Sequence, residues 1–272
     1  MNFVLGASGQ IGTAILESLK ACQVKVVPRS QYESWNTFDH ISKFVDIHKI
    51  NSGDTFYICS GITNPAANSS QIDLQNFQIP LAILKNSLDR QFQVVTFGSV
   101  QENSNLSNPY LDSKRLFLKQ ALEIETCQNH RHFQLNTVYG IHKPKSYMLL
   151  GEILSAIQNQ SPLYMTSGNQ IREYWHADDI ARCVTSDSLK TPTARVVSVS
   201  SGHPIRIRDL ATRVFEHFSM EDYLYLDAIP NDPNESYNVN MINQINGFEG
   251  NMRDPFGGVI SYLENWLNGG KA

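Results

Sequence analysis

The 272-residue chain, 41% hydrophobic and 18% charged, has the composition of an ordinary soluble globular protein, long enough for one large α/β domain with a small appendage. Its formal net charge of −4 argues against a nucleic-acid or anionic-membrane partner, and no apolar run approaches the roughly 20 residues of a membrane span. Cys22, Cys59, Cys127 and Cys183 lie far apart with no C-x-x-C pair, which argues against a zinc site or disulfide frame and fits reduced thiols. Met1-Asn-Phe-Val-Leu5 is too short for a signal peptide and lacks a basic flank, so the expected compartment is the cytoplasm.

In chain order, Asn2 to Leu5 reads as a first strand running into Gly6-x-x-Gly9-x-x-Gly12, followed by a helical pattern through Ile11, Ala14, Ile15 and Leu19. A strand, closely spaced glycines and a helix form the arrangement that binds a pyrophosphate. The glycines allow a tight turn and close backbone approach, and the helix N-terminus offers free N–H groups to the anion. A glycine triplet alone also fits a plain strand–helix turn; its place at the start of an alternating β/α pattern favours the binding loop. Gln23 to Val27 is the second strand, ending at Pro28-Arg29-Ser30. A carboxylate about 20 positions past the glycine motif would hold a ribose 2′-hydroxyl, whereas an arginine accommodates a 2′-phosphate. Arg29-Ser30 stands there instead, favouring NADP, with NAD and a solvated turn arginine as the alternatives.

The alternation continues. Phe38 to Ile50 reads as a helix, Asp54 to Cys59 as a strand ending in Ser60-Gly61, and Ser70 to Leu88 as a helix that Pro80 should kink. Phe92 to Phe97 is a strand before Gly98-Ser99, Leu106 to Cys127 a helix, and His132 to Asn136 a strand leading to Thr137-Val-Tyr-Gly140. Beyond Gly140 the rhythm loosens. Helices are expected over Tyr147 to Gln158, from Asp179 to about Ser188, over Ile207 to Phe218 and over Gly258 to Leu267. Short strands are expected at Pro162 to Met165 and Arg195 to Ser200, a turn at Ser167 to Asn169, and a loop over the asparagine-rich Asn231 to Asn243. This is the pattern of an α/β fold, a doubly wound parallel sheet whose ligands gather at the carboxyl ends of the strands.

Ser99, Tyr110 and Lys114 carry the chemistry. Spacing of four on a helix puts Tyr110 and Lys114 on one face. A phenol has a pKa of about 10; a neighbouring lysine cation lowers it, so the phenol can exchange a proton near neutrality. Ser99, at a strand end, can hydrogen-bond the same substrate oxygen. Taken singly, Tyr-x-x-x-Lys is an ordinary surface pair, Ser99 a strand cap and Arg172 a solvent-exposed cation. Trp175 and His176 read as packing residues. His130, His132 and His142 have no Cys or carboxylate at ligand spacing, so no metal site is expected.

In their order, the glycine motif, Ser99, Tyr110-x-x-x-Lys114, Val138-Tyr-Gly140 and Arg172-Glu-Tyr-Trp-His-Ala-Asp-Asp-Ile180 resemble the extended short-chain dehydrogenase/reductase family, the nucleotide-sugar epimerase, dehydratase and reductase group. The resemblance spans roughly residues 1–215. It implies a Rossmann-type domain of residues 1–142 and about 172–201, and a small substrate-binding domain of about 143–171 and 202–272. It implies Tyr110 as acid/base, Lys114 on the nicotinamide ribose and lowering the tyrosine pKa, and Ser99 as substrate donor. It also places Gln10-Ile11 over the pyrophosphate and Asn76 on a helix behind the site. The implied cofactor set is Gly6, Ser8, Gly9, Gln10, Ile11, Gly12, Arg29, Ser30, Ser60, Gly61, Tyr110, Lys114, Thr137 and Val138. Substrate contacts are Ser99, Tyr139 and Arg172, whose planar guanidinium suits a pyrophosphate.

Departures from the family narrow the reaction. Sugar dehydratases carry an Asp-Glu pair just after the serine or threonine; here Val100-Gln101 stand there and Glu102 is one residue late. Epimerases tend to hold NAD tightly, with an acidic residue after the second strand, which is missing. The second arginine that relatives often place in the C-terminal third is absent from Asp227 to Asn243, and Arg253 comes later in a different context. The expectation is an NADPH-dependent reductase of a 4-keto, 6-deoxy sugar nucleotide. An epimerase, a reductase of a non-nucleotide carbonyl and a non-catalytic NADP-binding protein are the alternatives. Oligomeric state stays open; relatives often pair through the helices near residues 70–90 and 106–128, so a homodimer is one arrangement the resemblance allows.

Overall fold

A computed structural model describes residues 1–124, 128–186, 195–233 and 252–270. The chain forms two compact units, Met1–Leu135 with Ala181–Val199, and Asn136–Ile180 with Ser200–Ala272. In chain order the elements begin β1 (Asn2–Leu5), α1 (Gln10–Ser18), β2 (Val24–Val27), α2 (Arg29–Tyr32), α3 (Phe38–Ile47), β3 (Thr55–Ile58), α4 (Ser69–Asp73), α5 (Ile79–Arg90), β4 (Gln93–Ser99), α6 (Pro109–Glu123) and β5 (His130–Leu135). They continue β6 (Thr137–Tyr139), α7 (Leu149–Asn159), β7 (Leu163–Tyr164), β8 (Ile171–Arg172), β9 (Tyr174–His176), α8 (Ala177–Thr185), β10 (Val196–Val199), β11 (Ile205–Arg206), α9 (Ile207–His217), β12 (Leu224–Tyr225) and α10 (Pro255–Leu267).

In the first unit six parallel strands pair in the order β10-β5-β4-β3-β1-β2. This is a Rossmann-type α/β sheet, and its strand order reverses between β1 and β3. At such a switch point the connecting segments leave in opposite directions and open a crevice beyond the strand ends. Phe3, Leu5, Phe56, Ile58 and Val94 point into one hydrophobic core, while the alternate residues Val4 and Tyr57 are also buried. A sheet covered on both faces requires such continuous apolar strands. Phe3 stacks on Phe56 at 4.8 Å, and Phe44 of α3 meets Phe3 edge-on at 5.8 Å.

The expected helix from Ser70 to Leu88 forms as a contiguous helical run whose irregularity lies just before Pro80, which itself sits inside α5. A π-helical turn, Leu74–Gln78, separates α4 from α5. Pro80 has no N–H to give the Asn76 carbonyl and its ring would collide there, so a wider turn relieves both problems. The helix expected from Leu106 begins at Pro109, because Asn108 caps it by accepting from Leu111 N at 2.9 Å. Cys127, most of the Asn231–Asn243 loop and the expected end of α8 near Ser188 lie outside the described residues.

In the second unit α7, α9 and α10 enclose a core that includes Ile153, Leu154, Leu210, Phe215, Val259 and Leu263. Three short strand pairs accompany them: β6 with β9, β7 with β12, and β8 with β11. Residues 136–142 and 172–180 therefore group with this unit and not with the first, where the sequence reading put them. The reason is local: Thr137–Tyr139 pairs in parallel with Tyr174–His176 and forms a sheet of its own.

Candidate active site

A cavity of about 360 Å³ opens at the carboxyl ends of β1, β2 and β3. Gly6, with φ +72°, turns the chain out of β1; a Cβ there would run into the backbone at Ser60. A Cβ on Gly12 would run into the Gly6 carbonyl, so α1 packs this close to the loop only without a side chain. Gly9 precedes α1 and supplies no side-chain cap, so the positive end of the helix, the end that favours an anion, faces the loop. The loop is braced from within: Gly9 N donates to Gly6 O at 3.0 Å, and Thr13 Oγ1 to Ala7 O at 3.0 Å. Among the expected cofactor residues, Gly6, Ser8, Gly9, Arg29, Ser60 and Gly61 line the cavity. Gln10 and Ile11 begin α1, Gly12 is buried beneath the loop, and Ser30 is exposed in α2. This is a cradle of the kind a dinucleotide pyrophosphate needs.

Arg29 lies at the end of β2 in an exposed pair with Glu33 at 4.0 Å. Tyr32, Cys59 and Gln75 also line the cavity, and the sequence reading did not include them. Burial raises the Tyr32 phenol, and it raises the Cys59 thiol strongly, which makes Cys59 an inert wall residue.

Ser99 ends β4 and caps the 3-10 turn Val100–Asn103, its Oγ accepting from Gln101 N at 3.2 Å. Tyr110 and Lys114 follow on α6. Lys114 is buried, and its Nζ donates to Phe97 O on β4 at 2.8 Å. A Cβ on Gly61 would lie 3.1 Å from Asn76 Oδ1 and 3.6 Å from Lys114 Nζ, so the loop after β3, the π turn and α6 converge. Asn76 is fully buried: its Oδ1 accepts from Ile62 N at 2.9 Å, and its Nδ2 donates to Ile62 O at 3.0 Å and to Ser113 Oγ at 3.1 Å.

The electrostatics depart from expectation. The Tyr110 phenol lies above its ordinary range, raised by burial and by the Glu102 carboxylate. Burial lowers the Lys114 ammonium, against an opposing pull from Glu102. Burial first, and then an acid that the sequence suggests only for dehydration, set the phenol here, in place of the expected lowering by lysine. That acid, Glu102, is buried; its Oε1 accepts from Ser99 N at 2.7 Å, and its Oε2 faces His132 Nε2 at 3.1 Å and Gln134 Nε2 at 3.0 Å. Burial acts to raise its pKa, but the bonds from His132, Gln134 and Ser99 prevail and hold it below the usual carboxylate range. Its local signal was readable: Ser99-x-x-Glu102 is a capping-box spacing.

Thr137, Val138, Tyr139 and Arg172 belong to the second unit. Thr137 N donates to Glu173 O at 3.0 Å, and Val138 sits opposite Trp175 in the β6–β9 pair. Tyr139 is only 1% exposed, packed against His176 and Tyr262 with ring centroids at 5.3 and 5.5 Å. Burial pushes its phenol up to about 12. Its side chain is a core member of this unit. Arg172, on β8, is half-buried and donates to its neighbour Ile171 O at 2.8 Å. Arg253 joins Asp179 at 3.0 Å and Asp178 at 3.3 Å, beside a cavity of about 530 Å³ that His176 and Gly140 also line. Trp175 is buried; its Nε1 donates to Glu173 Oε2 at 3.3 Å. Among the described residues no group of three or more His, Cys, Asp or Glu is placed to hold a metal, and no helix is long and apolar enough to cross a membrane.

The sequence profile of the NAD dependent epimerase/dehydratase family matches residues 2–186. No curated protein sequence matches the chain significantly. Solved structures resemble it along nearly its whole length. One is a UDP-N-acetylglucosamine 4-epimerase from Methanobrevibacter ruminantium in complex with UDP-N-acetylmuramic acid, 15% identical over 98% of each chain, with a TM-score of 0.74. A dTDP-glucose 4,6-dehydratase from Bacillus anthracis in complex with NAD is 13% identical over 98% of this chain and 97% of that chain, with a TM-score of 0.77. A GDP-D-glycero-L-gluco-heptose synthase from Campylobacter jejuni, solved in the presence of NADPH, is 15% identical over 98% of this chain and 97% of that chain, with a TM-score of 0.76.

Proposed function

The chain belongs to the NAD dependent epimerase/dehydratase family, and from that premise we propose that it is an NADPH-dependent reductase of a 4-keto, 6-deoxy sugar nucleotide. The observation that carries this reading is Arg29, which lines the cavity at the end of β2 where a carboxylate would otherwise hold a ribose 2′-hydroxyl. A guanidinium there favours a 2′-phosphate, hence NADPH, and an exchangeable reduced cofactor suits net reduction. Glu102 supports the same side of the choice. Its carboxylate is committed to Ser99 N, His132 and Gln134 and is not offered to a sugar as the acid or base of water loss.

Gly6, Gly9 and the first turn of α1 would hold the pyrophosphate, Arg29 the 2′-phosphate and Lys114 the nicotinamide ribose. When bound, the dinucleotide supplies hydride to the keto carbon. Tyr110 delivers a proton to the oxygen that becomes the hydroxyl, the general-acid role open to a phenol, which is protonated at neutral pH. Ser99 donates its hydroxyl hydrogen to the same oxygen; its own lone pair is taken by Gln101 N, which orients the O–H outward from the turn. Arg172 would bind the substrate diphosphate through its fork of donors.

The test is NADPH oxidation, followed by absorbance, over a panel of dTDP-, CDP- and GDP-linked 4-keto-6-deoxyhexoses, with NADH in parallel. Oxidation with one nucleotide series and a preference for NADPH is the expected result. A changed sugar without net oxidation identifies an epimerase instead, and dinucleotide binding with no turnover identifies a non-catalytic protein.

A further inference from the structure

Behind Ser99 lies a buried polar chain that proton and hydride transfer do not use. Thr96 Oγ1 is 2.8 Å from His130 Nε2 and 2.8 Å from His132 Nδ1. His132 Nε2 reaches Glu102 Oε2, and Glu102 Oε1 takes Ser99 N. Gln134, the other partner of Glu102, is held in turn by Asn103 Nδ2 and Ser198 Oγ, each at 3.0 Å from its Oε1. The proton order that gives Glu102 a donor runs His130 Nε2–H to Thr96, Thr96 O–H to His132 Nδ1, and His132 Nε2–H to Glu102, with Arg131 O a longer neighbour of Thr96 Oγ1 at 3.4 Å. His130 Nδ1, left as a bare lone pair by this assignment, has no hydrogen-bond partner. The chain thus ends in an anion that receives three donors.

A buried charge is a costly way to stabilise a strand end, since a neutral acceptor would take the same N–H at lower desolvation cost. Its location points to another use. Arg115 ties the turn that follows Ser99 to α6, donating to Glu102 O at 2.9 Å, Gln101 O at 3.1 Å and Ser104 O at 2.7 Å. Lys114 makes a second tie through Phe97 O. The Ser99 turn is therefore gripped from β5 by His132 and Gln134, acting on Glu102, and from α6 by Arg115. Gly98 leaves room for this: a Cβ there would run into both Glu102 Oε1 and His132 Nε2.

Resting on the Ser99–Tyr110–Lys114 reading above, we propose that Glu102 is a positioning residue whose carboxylate, anchored by His132 and Gln134, holds Ser99 in register with Tyr110 while its charge acts on the phenol. The titratable and charged groups around it are His132 and His130 on β5 and Tyr110, Lys114 and Arg115 on α6. Its negative charge adds to burial in raising Tyr110, so the titration of that phenol reports whether the charge is in place.

Glu102→Gln tests this, since it keeps an acceptor for Ser99 N, removes the charge and sets an amide NH₂ against Gln134. The expected result is a kcat about ten- to a hundredfold lower, as for a misplaced reacting group, with KM for NADPH within about twofold. The alkaline limb of the pH profile moves to lower pH, because Tyr110 loses its proton more readily once the anion is gone. The tyrosinate absorbance of Tyr110, isolated by difference against Tyr110→Phe in each background, moves the same way without need of a substrate. Wild-type kcat, or a lower kcat with neither limb nor absorbance titration displaced, overturns the proposal. If the wild type reduces nothing on the panel, the reductase reading fails by itself. The absorbance titration then decides for Glu102 alone, a downward move supporting its hold on Tyr110 and no move refuting it. Should E102Q not fold, Gln134→Met removes one anchor while leaving the carboxylate, and a severalfold lower kcat at unchanged KM is required of it.

Discussion

Two regions of the first unit do different work with different materials. The loop between β1 and α1 is made almost entirely of backbone: three glycines, a helix N-terminus and one internal hydroxyl brace. The centre around Ser99 and Tyr110 is made of side chains from β4, β5, α6 and the turn after Ser99, joined by buried hydrogen bonds. Backbone geometry can cradle a phosphate of any dinucleotide, because an N–H group discriminates little. Proton transfer requires a defined charge state, and charge states are set by neighbours. Damage to the first region should appear in binding, and damage to the second in turnover.

The largest effect should come from Tyr110→Phe, which removes the proton donor and should lower kcat about a thousandfold, within the usual range for a lost general acid. NADPH affinity, measured by nicotinamide fluorescence, should be unchanged. The converse variant is Gly12→Val, whose side chain must displace the Gly6 carbonyl. It should cost about 1–3 kcal/mol of stability by overpacking and weaken NADPH binding tens-fold, with residual turnover at saturating cofactor retained. Gly98→Ala separates the regions more finely, since its methyl meets Glu102 and His132 and not the cavity. A kcat about tenfold lower with intact NADPH affinity is expected, as for a small misplacement of a reacting group. If cofactor binding falls instead, the division between the two regions is wrong.

Smaller effects follow at the edges. Arg29→Ser should reduce the NADPH-to-NADH preference about tenfold, a loss of about 1.4 kcal/mol in one charge-assisted contact. Competition binding of the two cofactors reads this directly. The last concerns pH and stability. His130 is buried, and its pKa lies well below the ordinary 6.5 through burial first, with its neighbours His132, Arg195 and Arg131 acting in the same direction. The unfolded chain therefore takes up a proton below that value while the folded chain does not, so stability falls as pH drops from about 6.5. The slope should reach at most about 1.4 kcal/mol per pH unit. Chemical unfolding at several pH values measures it, and His130→Gln should flatten it.

Legibility in the sequence followed how local each feature is. The glycine motif, the strand before it and the helix after it were all readable, because their spacing alone dictates the turn. The Tyr110–Lys114 pair was readable for the same reason, four residues on a helix. Asn76 could be placed on its helix, but the π turn that buries its amide against Ile62 came from Pro80 acting on a packed helix. The motif marks Tyr139 as a substrate contact but says nothing of its burial, which comes from the pairing of β6 with β9 and the packing of His176 and Tyr262. Glu102 had a local signal in the capping-box spacing, yet nothing local announced His132, thirty residues on.

By itself, then, the sequence determined the alternation of strands and helices, the anion-ready turn at Gly6 to Gly12 and the shared helical face of Tyr110 and Lys114. Each is a matter of backbone sterics and periodicity acting over a few residues. Only the tertiary structure decided which groups are charged and where they are held: Tyr110 raised rather than lowered, Lys114 bonded to Phe97 O, and Glu102 turned inward to grip Ser99. Desolvation and through-space charge depend on what the fold brings near. That proximity is created by the pairing of β4 with β5 and the packing of α6, at separations no short motif spans.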